Sequence, residues 1–146
     1  MRNYLLLAAL GALLLFACDK ATSTSTKLSG EWQLTSYKLT VSNGMSYIGS
    51  GEGALFFSDL QTETSDKTYL FQLNQTVNGA VMVRDESGTF LVSYEQGFPE
   101  LSLTTSSGSP ALGSPCRILT LNKTDLQLEG SDSLGRIHTF LFRKVK

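Results

Sequence analysis

From residue 28 to the end of the chain, apolar and polar residues alternate in runs of five to eight, punctuated by Gly, Asn, Asp, Ser and Pro. The pattern predicts a first strand over residues 30–41. Trp32 and Leu34 share one face of it, whereas Tyr37, Leu39 and Val41 share a face of the opposite parity. That change of phase near Ser36 predicts a β-bulge or a sharp bend, because one extra residue flips the alternation. Ser42-Asn43-Gly44 then turns the chain, and residues 45–48 read as a short strand or part of a loop. Further strands are expected over residues 54–58, 67–73, 80–84, 89–94, 101–105, 116–121, 126–129 and 136–145. Asp85-Glu86-Ser87-Gly88 reads as a tight hairpin turn, and residues 122–125 and 131–135 play the same part later.

Nothing after residue 28 keeps a helical period. The count is nine strands, or ten with residues 45–48. Consecutive hairpins make an antiparallel sheet, and closing it removes the exposed edges. The expected fold is therefore all-β, an antiparallel up-and-down β-barrel of about 8–10 strands. One conflict accompanies the count. Nine alternating strands place the loops at residues 42–52 and 106–115 at opposite ends, although long loops around a ligand mouth should share one. Either the count is off by one, or the first loop alone frames the mouth.

The segment before residue 28 is of another kind. Arg2 precedes an uncharged apolar run from Tyr4 to Phe16. The run is short of the roughly 20 residues that span a bilayer, so it reads as a secretory signal. It ends Leu15-Phe16-Ala17-Cys18, which resembles the bacterial lipobox, with Phe16 bulkier than is usual there. The resemblance implies a signal peptide over residues 1–17, a Cys18 thiol carrying diacylglycerol, and an acylated (for example palmitoylated) new amino terminus. One acyl chain binds a membrane only marginally, whereas two or three anchor it. The expected address is thus the cell envelope, periplasmic side, on a membrane reached through Cys18. Asp19 resembles an inner-membrane retention signal of some proteobacteria, and inner and outer membrane stay open. Residues 18–27 complete a polar, low-complexity stretch, Asp-Lys-Ala-Thr-Ser-Thr-Ser-Thr-Lys after the Cys, expected to be a flexible tether.

Gly30-x-Trp32-x-Leu34 at the start of the first strand and Phe140-x-Phe142-Arg143-Lys144 in the last resemble the lipocalin superfamily. The closer likeness is to the short lipocalin-like domains of bacterial lipoproteins, common in the Bacteroidota. It covers residues 28–146, taken as one domain. The resemblance implies that Trp32 plugs the closed end of the barrel, with Arg143, or else Lys144, packed across it. Gly30 would let the backbone turn in beneath. The Thr-Asp-Tyr motif of the larger lipocalins is absent and the domain is short, which argues against a deep cavity.

Composition narrows the function classes. Hydrophobic residues are 41%, charged residues 17%, and the formal net charge is −1. Nucleic-acid partners are not expected, because no basic patch gathers the cations that phosphates require. The one histidine, His138, alternates with Arg136 and Phe140 in the last strand and reads as structural or solvent-facing. One His and one unlipidated Cys cannot supply a zinc site, and no Gly-x-Ser-x-Gly elbow occurs. The glycine-rich stretch Gly49-Ser50-Gly51-Glu52-Gly53 is followed by a strand and lacks Gly-Lys-Ser/Thr, so it reads as a flexible mouth loop rather than a phosphate cradle. Cys116, left without an internal partner, reads as a small buried hydrophobe. No catalytic residue, metal or cofactor is expected.

What remains is binding. The first expectation is a non-enzymatic barrel holding a small hydrophobic ligand. By alternation its lining candidates are Leu39, Phe56, Phe71, Val83, Phe90, Val92, Leu103 and Phe142. The second is an envelope barrel that binds or inhibits an unidentified protein partner through protruding loops at residues 42–52 or 106–115. A barrel of this size is just wide enough for side chains or one small ligand, so a wholly filled core is the plain alternative.

Overall fold

A computed structural model describes residues 20–58, 67–106 and 108–145. The leader, Cys18 and Asp19 lie outside the described residues. Eight strands follow one another: β1 (Gly30–Thr40), β2 (Ser46–Phe57), β3 (Thr68–Val77), β4 (Ala80–Glu95), β5 (Phe98–Thr105), β6 (Cys116–Leu121), β7 (Asp125–Ser131) and β8 (Ile137–Lys144). Each pairs antiparallel with the next, and β8 returns to β1, so the sheet closes as an up-and-down barrel. This is the topology of lipocalin-type barrels.

The predicted phase change in β1 is real. Its register slips against β8 between Leu34 and Ser36, and against β2 between Gln33 and Tyr37. The bulge lets Trp32, Leu34 and Tyr37 all point inward despite their mixed parity.

Three expectations change. The glycine-rich stretch is not a loop but the middle of β2. Its glycines make room for side chains from β1. A Cβ on Gly49 would stand 2.6 Å from the Tyr37 ring, and one on Gly53 would meet Leu34 at 3.1 Å. Likewise Asp85-Glu86-Ser87-Gly88 is not a turn but the centre of β4, the longest strand at 16 residues. Gly88 lies there because a Cβ would strike the Thr104 carbonyl of β5. The true turns beside it are Asn78-Gly79 and Gln96-Gly97, in which both residues have positive φ (49° and 75°, 50° and 87°). That geometry suits two-residue hairpins. Merging the two halves of β4 turns nine strands into eight and removes the loop conflict. The turn after β1 and the segment between β5 and β6 now share one end.

The third change is at the start. Residues 20–28 are helical rather than a free tether. Thr24, Ser25 and Leu28 of this helix are buried. It lies across the end of the barrel where β1 begins. The Thr24 hydroxyl bonds the Tyr94 hydroxyl at 2.6 Å, Lys67 Nζ donates to Ser25 Oγ at 3.3 Å, and the Trp32 indole N–H donates to the Leu28 carbonyl at 2.7 Å. A segment too polar to form a core can still be ordered where its few buried groups find partners.

The interior is packed with side chains from all eight strands and from the β5–β6 connection. His138, Phe140 and Phe142 stack along β8 with centroids 6.3 and 6.1 Å apart. Phe71 meets Phe140 edge-on at 5.7 Å, and Tyr37 lies 4.9 Å from Phe140. Such pairs add to the area they bury.

Candidate functional site

At the helix-capped end Trp32 is fully buried, as the plug reading requires. Gly30 adopts φ +109°, a backbone that favours glycine and turns the chain in under the barrel. The cation over the indole is Lys144, not Arg143. Lys144 pairs with Trp32 across the β1–β8 ladder and holds Nζ 4.9 Å from the ring centroid, donating also to the Lys27 carbonyl at 3.3 Å. Arg143 is one residue out of phase and points to solvent, since side chains alternate along a strand.

Of the predicted lining residues, Phe71, Phe90, Val92, Leu103 and Phe142 are buried inside, and Leu39 packs on the core from the opposite end. Phe56 and Val83 face outward, 45% and 65% exposed. Phe56 sits in an apolar pair whose inward member is Phe57. Val83 was assigned by a strand phase that a turn at residues 85–88 would have reset, and no turn is there. The inward residues belong to one buried cluster that runs through the barrel.

Space remains at the other end. There a cavity of about 540 Å³ opens between the β5–β6 connection and the β7–β8 turn. Leu73, Met82 and Phe140 form its apolar floor. Arg84, Arg136 and His138 stand on its walls, with Ser109, Pro110 and Ala111 along one side and Ser131 to Leu134 along the other.

A hydrogen-bonded chain stiffens one wall. Asp132 Oδ2 accepts from Arg136 Nε at 2.7 Å and meets His138 Nε2 at 3.1 Å, while Oδ1 accepts the Leu134 and Arg136 backbone N–H groups. An ionised carboxylate can only accept, so His138 carries its proton on Nε2. In the neutral ring Nδ1 then accepts from the Tyr37 hydroxyl, 2.7 Å away. Partial burial disfavours the Asp132 charge, but the bonds from His138 and Arg136 outweigh it and hold the carboxyl well below the usual range. Burial pushes the Tyr37 hydroxyl the other way, to about 12, with Arg136 opposing and Asp132 reinforcing. The phenol therefore keeps its proton at neutral pH, and both His138 nitrogens are engaged. The chain is built to hold a wall in place.

Sequence reasoning passed over this network because Tyr37, unlike Asp132 and Arg136, lies far along the chain from His138. Tyr37 and His138 are 101 residues distant, and only barrel closure brings them together. Gln75 was also missed. It is buried in the upper barrel beside Tyr37 and Gly49, and its Oε1 is a buried acceptor with no donor among the described residues. Cys116 behaves as expected, buried, with desolvation raising its thiol to about 12. Among the described residues no three of His, Cys, Asp and Glu stand together as a metal site.

Of the two loops expected to protrude, residues 46–52 belong to β2, leaving residues 42–45 as an exposed turn, and the second carries Leu112 into the core while Gly108 and Ser109 stay exposed.

No family model and no curated protein matches the chain. Among solved structures, it is similar to a de novo designed fluorescence-activating β-barrel, at 13% identity and a TM-score of 0.45, over 84% of this chain and 98% of the design.

Proposed function

We propose that this chain is a membrane-anchored envelope lipoprotein whose barrel is a non-enzymatic binding module for a small hydrophobic ligand with a polar end. The observation that carries the reading is the mouth cavity, about 540 Å³, whose floor is Leu73, Met82 and Phe140 and whose rim is polar. Its size falls in the range of about 300–1,000 Å³ usual for small-molecule sites. Apolar area removed from water on that floor contributes about 25 cal/mol per Å². The rim hydroxyls and guanidinium groups orient the polar end. The anchor fits the same picture. Residue 20 emerges at the helix-capped end, where the Lys20 carbonyl meets the Tyr94 hydroxyl at 3.5 Å, so a lipidated Cys18 would leave the mouth facing away from the membrane.

The test is native mass spectrometry of the full chain released from its envelope in mild detergent. Wild type should retain a small molecule that Met82→Arg, which fills the mouth from a partly buried position, loses. Cys18→Ser should lack the diacylglyceryl mass and leave the membrane fraction. A wild-type barrel that carries no adduct from envelope lipid extract would sink the ligand reading. A Cys18→Ser chain that stays in the membrane would sink the anchor.

A further inference from the structure

The connection between β5 and β6 is the most unusual part of the barrel wall. Every other neighbouring pair shares at least five paired positions, but β5 and β6 share two, Glu100 with Arg117 and Leu101 with Cys116. Above them the chain does not continue the sheet. It dips into the lumen between β4 and β7. The Ala111 N–H donates to Glu86 Oε2 of β4 at 3.0 Å, and Ser114 Oγ bonds both the N–H and the carbonyl of Leu103 at 3.1 Å. On the far side the Leu112 carbonyl rests on Gly130 of β7, so closely that a Cβ there would fall 1.7 Å from the oxygen. Leu112 itself is fully buried in the core, and it is the one large apolar anchor of the segment.

We infer that residues 108–114 are a displaceable plug, and that the space Leu112 occupies is an inner subsite for the apolar body of a ligand. This rests on the reading of the mouth as a ligand site and extends that site inward. Four features point the same way. The segment already forms one wall of the mouth cavity through Ser109, Pro110 and Ala111, so its withdrawal joins the two spaces. Apart from the Leu112 side chain and the packing of Leu112 and Gly113 on Gly130 and Ser131, its ties to the wall are few and polar, and water replaces such bonds at small net cost. Glu86 is not orphaned when Ala111 leaves, because the Tyr69 hydroxyl still donates to its Oε1 at 3.1 Å. Gly108 and Gly113, at φ +109° and +80°, bracket the segment and can take up the backbone change of a hinge. An apolar ligand group would replace the Leu112 side chain in the core cluster, conserving buried apolar area while the loop returns to water.

Hydrogen exchange read by mass spectrometry, on the mature full chain in nanodiscs with 1-aminoanthracene as the apolar probe, tests this. In wild type the peptide spanning residues 108–115 should exchange about 100-fold faster than β8. The probe should speed that peptide further while slowing exchange around Leu73 and Phe140. Gly130→Ala, which expels the Leu112 carbonyl, should bind the probe about tenfold more tightly with β8 protection unchanged. Leu112→Ala, which keeps the Gly130 contact, should do the same and stands in if Gly130→Ala fails to fold. Binding by the variants alone also supports the plug. Slowing around Leu73 and Phe140 with residues 108–115 unchanged or slowed, and no gain in either variant, overturns the plug and leaves the mouth site standing. No response in wild type or either variant overturns both.

Discussion

The two ends of this barrel are closed by opposite means. At the capped end a helix at residues 20–28 lies across the opening, Trp32 fills the space beneath it, and Lys144 covers the indole. The cap's links to the barrel are the buried Leu28 and Trp32, bonds to its own backbone at Lys20, Lys27 and Leu28, and side-chain bonds between Thr24 and Tyr94 and between Lys67 and Ser25. At the mouth the closure is a loop with one apolar anchor, Leu112, beside a wall held by the Asp132–Arg136 ion pair and the Asp132–His138 hydrogen bond. Equal barrels of backbone thus support unequal ends. A seal made of apolar volume has no partner to exchange with, so opening it exposes the core. A closure with one apolar anchor and otherwise polar ties can trade most of its links for water.

The sharpest way to break the comparison is at the cap. Trp32→Ala removes the largest fully buried side chain and the bond to Leu28. It should cost about 3–5 kcal/mol, read as the shift in a urea unfolding midpoint at constant slope. It should also release the helix, seen as faster hydrogen exchange over residues 20–28. A variant as stable as wild type would show that the cap is ornamental and that the two ends do not differ in kind.

At the mouth the expected cost is smaller and depends on pH. Asp132→Asn removes the charge that Arg136 and His138 bond, and should lose about 1–3 kcal/mol at pH 7. Because the folded-state carboxyl of Asp132 is held below its ordinary value, its stabilisation is fully present above about pH 4, where the unfolded carboxyl is ionised. It is lost as the pH falls from there through the folded value. The gap between wild type and Asp132→Asn should therefore narrow from pH 7 to pH 3. Trp32→Ala carries no such dependence. Parallel pH profiles for the two variants would remove the electrostatic half of the contrast.

How much of this was legible in the chain depends on the range of the contact. Strands β1, β3, β6, β7 and β8 announce themselves because alternation is local, and so does the bulge, where the parity of Trp32 and Tyr37 conflicts within one strand. β2 and β4 were hidden by their glycines. Gly49, Gly53 and Gly88 read locally as turn residues, but each is there for a neighbour across the ladder: the Tyr37 ring, the Leu34 side chain and the Thr104 carbonyl. That need cannot be seen without the pairing. The Asn78-Gly79 turn could have been found, since Asn-Gly is the strongest short hairpin signal. The helix could not, because its order comes from Tyr94 and Trp32 and not from its own period. The mouth network fell between the two. His138 was visible as a lone strand histidine, structural or solvent-facing, with Asp132 six residues before it, but Tyr37 becomes its partner only when β8 closes on β1.

The smallest expected effect decides which residue completes the cap. Strand phase makes Lys144 the cation over Trp32 and turns Arg143 to solvent. Lys144→Ala loses the cation–ring contact and the bond to the Lys27 carbonyl, and should cost about 0.5–1 kcal/mol. Arg143→Ala should stay within about 0.5 kcal/mol of wild type, as surface changes away from such contacts do. The two differ by one position and by the same sign of charge, so net charge cannot separate them and only geometry can. In the Trp32→Ala background the Lys144→Ala cost should shrink, because the ring that receives the cation is gone, whereas that of Arg143→Ala should not move. An Arg143→Ala cost larger than that of Lys144→Ala would put the plug's partner back where the family resemblance first placed it.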